Sequence, residues 1–154
     1  MATNESTSNS YLSFRLGKEV FAANVSSTLK ILQLADITKV PSAPPNMKGV
    51  INHHGNVLPV VDLNQTLGLP ETEHTKSTCI IILSVVQGDN TNNIGAIVDE
   101  VLNVENIGLH QISDHPSLGS KNSLDHIIGV FKKEDSFIMI LNINNIFKEI
   151  NLEN

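Results

Sequence analysis

Apolar positions along this chain fall in short runs of strand length, rich in Ile and Val and separated by Gly, Pro, Asn and Asp. That is the patterning of β structure. Tyr11–Leu16 alternates apolar and polar residues, stops at Gly17-Lys18, and is followed at once by Val20–Val25, which predicts a hairpin. Thr28–Leu34 leads through Ile37–Val40 into Pro41-Ser42-Ala43-Pro44-Pro45, whose prolines predict a rigid extended loop. Lys48–Leu63 predicts strand, turn at Gly55-Asn56, and strand, with Pro59 placing the second strand at a sheet edge or a bulge. A short helical turn over Asn64–Leu67 ends at Gly68, and Glu71–Ser77 is a polar connector. Thr78–Val86 is apolar on both faces and is predicted to be the most deeply buried strand. Gly88-Asp89-Asn90 turns it into Ile94–Val98, and Asn106–Leu124 reads as an irregular stretch. A last hairpin, Ile127–Lys132 and Phe137–Leu141, turns at Glu134-Asp135, and apolar residues at 143, 146, 147 and 150 predict a C-terminal helix.

The runs repeat. Gly49-Val50-Ile51 can be laid over Gly129-Val130-Phe131 and extended without a gap, so that Val57–Leu63 falls on Phe137–Ile143 and Leu67 on Phe147. A weaker echo sets Val25, Leu29 and Ile31 on Val98, Leu102 and Val104. Each half thus carries a hairpin, a connecting strand, a Gly-led hairpin and a short helix. Half of 154 residues is marginal for a core of its own, so the halves are expected to share a seam along Thr78–Val86. The predicted core includes Ile51, Val60, Val61, Ile81, Leu83, Ile128 and Ile140.

Composition narrows the function classes. The chain is 40% apolar, too much for disorder, and carries 10 Lys+Arg against 16 Asp+Glu, a net charge of -6. That balance argues against gripping nucleic acid or docking on anionic membranes. The single Cys79 removes an intramolecular disulfide, a Cys-based zinc site and an iron–sulfur cluster, and beside Ile80-Ile81-Ile82 it reads as an inert core thiol. No run is long enough to cross a bilayer as a helix, and the first ten residues lack the pattern of a signal peptide. A cytoplasmic protein is expected, with residues 1–10 a disordered tail.

Candidate chemistry is sparse. His53 and His54 are neighbours on a predicted hairpin, where successive side chains diverge, so they are not expected to chelate one ion. His110, Asp114, His115 and His126 surround the irregular stretch and supply the one conceivable metal or ligand site, an alternative kept beside the main reading. Asp62, Asp99 and Glu100 end or follow strands and are read as caps rather than acid–base groups. No catalytic motif, cofactor cradle or base-stacking platform is present in the residue pattern. What remains is a β protein of the protein-binding kind.

One stretch is distinctive. GVINHHGNVLPVVDL at Gly49–Leu63 resembles the GVINLRGxVLPVVDL signature of the CheW family, the coupling proteins of bacterial chemotaxis arrays. FRLGKEVF at Phe14–Phe21, VPSAPPNMKG at Val40–Gly49, IGAIVDEVLNV at Ile94–Val104 and IIGVFKKEDSFIMILNI at Ile127–Ile143 match in the family's order. The resemblance implies a mainly β fold of two SH3-like five-stranded barrels sharing a hydrophobic core, with short helices including one at the C-terminus. It places a single domain at 11–150, with subdomains at roughly 11–70 plus the C-terminal end and 78–142. It further implies a non-enzymatic adaptor, without cofactor or metal, that couples the cytoplasmic tip of a methyl-accepting chemoreceptor to the regulatory domain of the histidine kinase CheA. A CheW-like scaffold in another motility or signalling pathway is the nearest alternative.

By the same resemblance the receptor-facing residues are Leu29, Lys30, Asn52, His53, His54 and Val57, with Gly49, Gly55 and Gly129 as structural turn glycines. This chain departs from the family at that surface. The family's Leu-Arg is His53-His54, and the position of its Glu in a V-x-E-I motif is Lys30. A Glu and an Arg can pair; Lys30 and His54 cannot attract each other. Because the apolar pattern is intact while these surface positions differ, altered partner choice is expected rather than a broken fold.

Overall fold

The alternating runs build two antiparallel-rich sheets in a computed structural model that describes residues 8–34, 37–42, 47–113 and 126–147. The strands are β1 (Ser8–Leu16), β2 (Glu19–Asn24), β3 (Thr28–Gln33), β4 (Met47–His53), β5 (Asn56–Asp62), β6 (Cys79–Gln87), β7 (Asn90–Val98), β8 (Glu100–Gly108), β9 (Ile112–Ser113), β10 (Ile127–Lys133) and β11 (Ser136–Leu141). Two four-residue helices, α1 (Leu63–Thr66) and α2 (Ile143–Ile146), follow β5 and β11. The first sheet has the order β8-β1-β2-β11-β10-β9 and the second β3-β6-β7-β5-β4. The mainly β class with short helices is therefore as expected. The sixth strand of the first sheet is the two-residue β9, and its counterpart in the second sheet is a single bridge between Thr38 and Val50.

The sheets are not the two halves of the chain. One sheet draws on residues 8–24 and 100–141, the other on 28–98. The subdomains expected at roughly 11–70 plus the C-terminal end, and at 78–142, largely followed chain order, whereas each half lodges its first hairpin in the sheet built by the other half. The parallel pairings that hold these hairpins are equivalent: Val60 lies opposite Gly95, and Ile140 opposite Ala22. Each pair sets a branched residue against a small one, and a Cβ added to Gly95 would stand 2.9 Å from Ile80 Cγ2.

Burial follows the same repeat. A central core takes Phe14, Leu16 and Phe21 from one sheet, Val61, Ile81, Leu83 and Val85 from the other, and Ile143, Ile146 and Phe147 from the C-terminal turn. Two smaller cores lie on the far sides: Ile51, Leu58, Val60, Ile80, Ile82 and Ile97 in one, Tyr11, Ala22, Ile107, Ile138 and Ile140 in the other. Alternate residues of β6 enter different cores, which makes that strand the shared element predicted from its two apolar faces.

Several local expectations change. Pro59 lies on β5, an interior strand rather than an edge. It is accommodated because its opposite residue, Val50, directs both its N–H and its C=O to Thr38, at 2.8 and 3.0 Å, and because pairing of β5 with β7 starts only at Val60. Ile128, expected in the core, is 52% exposed: a bulge between Ile127 and Gly129 adds a residue to β10 and turns Ile128 outward. Gly49 and Gly129 sit at matching bulges inside strands, not in turns. The expected irregular stretch begins later than Asn106, since β8 runs to Gly108. β1 begins at Ser8, inside the expected tail. Ala43–Pro45 of the proline loop, residues 114–124 of the irregular stretch and the end of the expected C-terminal helix at 148–150 lie outside the described residues.

Candidate functional site

The receptor-facing residues named from the sequence lie on β3 and on the β4–β5 hairpin, at the two edges of the second sheet, which face each other at a corner where the charge of Lys30 reaches His53. Leu29 and Lys30 lie on β3, Asn52 and His53 at the end of β4, His54 in the following turn and Val57 at the start of β5. The turn consists of His54 and Gly55, at φ 53° and 82°, so the tip lies one residue earlier than the expected Gly55-Asn56. Left-handed backbone at both positions is what a two-residue hairpin loop needs to match the twist of its strands. Asn52 braces it, its Oδ1 accepting a 3.0 Å hydrogen bond from the Gly55 N–H.

The turn changes the histidine geometry. On a regular strand the two side chains would diverge, but at φ 53° His54 swings back toward its neighbour, and the rings meet edge to face with centroids 4.1 Å apart. His53 is half-buried and its imidazole pKa is held below the ordinary value, first by partial desolvation, then by the charges of His54 and Lys30. The native state therefore binds this proton less readily than the unfolded chain, so protonating His53 opposes folding as pH falls through the imidazole range. Replacing Lys30 with Glu is expected to move the His53 pKa upward, which an NMR titration of its ring Cε1–H would register; an unchanged or lower value would mean that Lys30 does not act on the ring.

Apolar side chains flank these groups. Leu29 is 54% and Val57 68% exposed, and Ile31 lies open beside them. A register shift between Thr28 and Lys30 leaves Leu29 unpaired and outward. Ile31 was missed by sequence reasoning, although its place beside Lys30 on a short edge strand was the available signal.

The first sheet repeats this corner with different chemistry. Leu102, Val104 and Phe137 are exposed at positions matching Leu29, Ile31 and Val57, and Glu134, at φ 54°, matches His54. The match to His53 is Lys133, whose Nζ lies 2.6 Å from Glu105 Oε2 on β8. That hydrogen bond is the main reason the Lys133 pKa is raised. One corner is thus internally neutralised; the other holds Lys30 and two imidazoles.

The remaining polar candidates are structural. Asp62 Oδ1 accepts from the Asn64 N–H at 3.0 Å and caps α1. Asp99 accepts from the Gly17 N–H at 2.5 Å and from Thr72 Oγ1 at 2.6 Å, tying the first hairpin turn to the connector after α1. Glu100, expected as a cap, instead pairs with Arg15 at 3.3 Å. Cys79 is half-buried at the rim of the central core rather than inside it, its thiol directed at the Ser77 carbonyl. Among the described residues no group of three or more His, Cys, Asp or Glu is placed to hold a metal ion; Asp114 and His115 lie outside them. No helix among the described residues is long and apolar enough to cross a membrane.

Comparison with known proteins gives a consistent picture. The CheW-like domain family matches residues 10–151. The chain is 34% identical to the chemotaxis protein CheW of Bacillus subtilis (strain 168) over 128 residues, covering 83% of this chain and 79% of that protein. It is 29% identical over 136 residues to the chemotaxis protein CheW of Rhizobium meliloti (strain 1021), covering 88% and 85%. Its fold matches the crystal structure of the scaffolding protein TtCheW from Thermoanaerobacter tengcongensis with a TM-score of 0.81 at 27% identity, over 95% of this chain and 91% of that one.

Proposed function

We propose that this chain, which belongs to the CheW-like family, is a chemotaxis adaptor that couples methyl-accepting chemoreceptors to the regulatory domain of the histidine kinase CheA. The observation that carries the reading is the family match across residues 10–151, joined to a fold shared with a scaffolding protein over nearly the whole of both chains. The chemistry of the surface agrees with it. Buried carboxylates are tied into caps and turns, and the open features are two corners where apolar side chains surround a hairpin tip. Exposed apolar groups with polar edges are the features of a protein interface rather than of a reaction centre.

Receptor contact is assigned to the corner formed by Leu29, Lys30, Asn52, His53, His54 and Val57. The kinase is assigned to the barrel ends.

Titration calorimetry with a CheA regulatory domain and, separately, with a chemoreceptor cytoplasmic tip from the same genome is expected to give dissociation constants of about 1–50 μM, the range of transient signalling contacts. Absence of binding to both partners at ten times that concentration would remove the coupling role.

A further inference from the structure

Charge is distributed unevenly between the two equivalent corners. The chain as a whole carries a net charge of -6. Even so, the corner of β3 and the β4–β5 turn gathers an ammonium group and two imidazoles, with the histidine rings in contact and Lys30 near enough to act on His53. Among the described residues Lys30 enters no ion pair. In the equivalent corner of the other sheet, Lys133 is paired with Glu105 on β8, the strand that matches β3. In the repeat register Glu105 falls on Leu32 and Lys133 on His53, so the corner of β3 has no carboxylate of its own where the other corner has Glu105.

We propose that the corner formed by β3 and the His54-Gly55 turn recognises an acidic segment of the partner protein, with Lys30 and His54 selecting carboxylates and Leu29 and Val57 supplying the apolar contact. This rests on the receptor-coupling reading and specifies its chemistry. A carboxylate set between Lys30 and the imidazoles would accept hydrogen bonds from the ammonium group and from either ring N–H. Its charge would also oppose the partial desolvation and, after it, the charges of His54 and Lys30 that hold the His53 pKa down, so His53 is expected to titrate higher in the complex than in the free protein. The groups facing His53 that enter this balance are Lys30 from β3 and His54 from the turn. Charge at an interface rim acts through steering and partner choice, so the effect should weaken with salt.

The test compares Lys30→Glu, His54→Glu and Lys132→Glu in the full chain. Glutamate is compatible with the backbone at residue 54, because Glu134 holds the equivalent position at φ 54°. Lys132 lies on β10 in the other corner and controls for net charge. Titrated with a chemoreceptor cytoplasmic tip, Lys30→Glu and His54→Glu are each expected to weaken binding about tenfold, with the wild-type affinity falling as salt is raised. Lys132→Glu is expected to stay within about twofold of wild type for the tip, and circular dichroism with urea denaturation checks that every variant is folded. Unchanged or tighter binding of the tip by Lys30→Glu would overturn the proposal while leaving the coupling reading intact. So would Lys30-dependent association with phosphatidylglycerol vesicles in place of the tip. If wild type bound neither the tip nor the kinase domain, the coupling reading would fall as well.

Discussion

Phe147→Ala is expected to lower the free energy of unfolding by about 3–5 kcal/mol, measured by urea denaturation of the full chain. Phe147 is fully buried in the central core, where side chains from both sheets meet. The turn that carries it is anchored on β6. Its carbonyl accepts a 2.9 Å hydrogen bond from Gln87 Nε2, and Asn144 Oδ1 accepts one of 2.8 Å from the Val86 N–H. A held backbone cannot collapse readily into the space a missing ring leaves, which puts the cost toward the upper part of the range for large-to-small core changes. The same substitution at Leu67, the matching position after α1, provides the internal comparison. Leu67 is only half-buried at the edge of that core, and Leu67→Ala should cost no more than about 2 kcal/mol. Equal effects at the two positions would contradict a central core that depends on the C-terminal turn.

Gly49→Ala is expected to be nearly as damaging, by about 3 kcal/mol or more in the same measurement. A Cβ at residue 49 would lie 2.3 Å from the Thr38 carbonyl oxygen and 2.6 Å from Ile37 Cγ2, with φ at +152°. The first of these neighbours is backbone, held by the two hydrogen bonds between Thr38 and Val50. Relief would require breaking the bridge that flanks β4. Gly55 separates the contributions of conformation and crowding. It lies at φ +82° with nothing within 4 Å of an added Cβ, so Gly55→Ala should cost only about 1 kcal/mol. If Gly55→Ala proved the more harmful, backbone conformation rather than close approach would govern these positions.

The repeat was legible in the sequence because its two markers, a leading glycine and the apolar spacing behind it, carry direct physical duties. Gly49 and Gly129 stand at matching bulges, and a Cβ on Gly129 would stand 2.4 Å from Ile112 Cγ2, as one on Gly49 would meet Ile37 and Thr38. Ile51, Leu58 and Val60 lie in one outer core, and Ile138 and Ile140 in the other. Partner strands were not legible. Val60 and Ile140 are buried whichever hairpin pairs with them, so the pattern that reveals a buried face is silent on which copy supplies the neighbour. Bulges defeat alternation for the same reason: Ile128 reads as core until an added residue turns it outward.

At the candidate site, the receptor-facing residues named from the resemblance lie on β3 and the β4–β5 hairpin, and their exposure was foreshadowed by polar residues at the tip. The meeting of the two imidazoles was hidden. It depends on His54 adopting a left-handed turn conformation, and a non-glycine residue does not announce that in its identity.

The lodging of each half's first hairpin in the other half's sheet carries an evolutionary implication. A half-length ancestor with this exchange could have buried its centre only as a pair of identical molecules, and every substitution in such a homodimer appears twice. Joining two copies in tandem removes that constraint and makes association independent of concentration. In the present chain the copies differ at this point: one carries the Lys133–Glu105 pair, and the other has His53 and Leu32 at the matching positions. Linking two copies in one polypeptide allows a symmetric scaffold to carry two unlike faces, the least an intermediary between two different proteins requires.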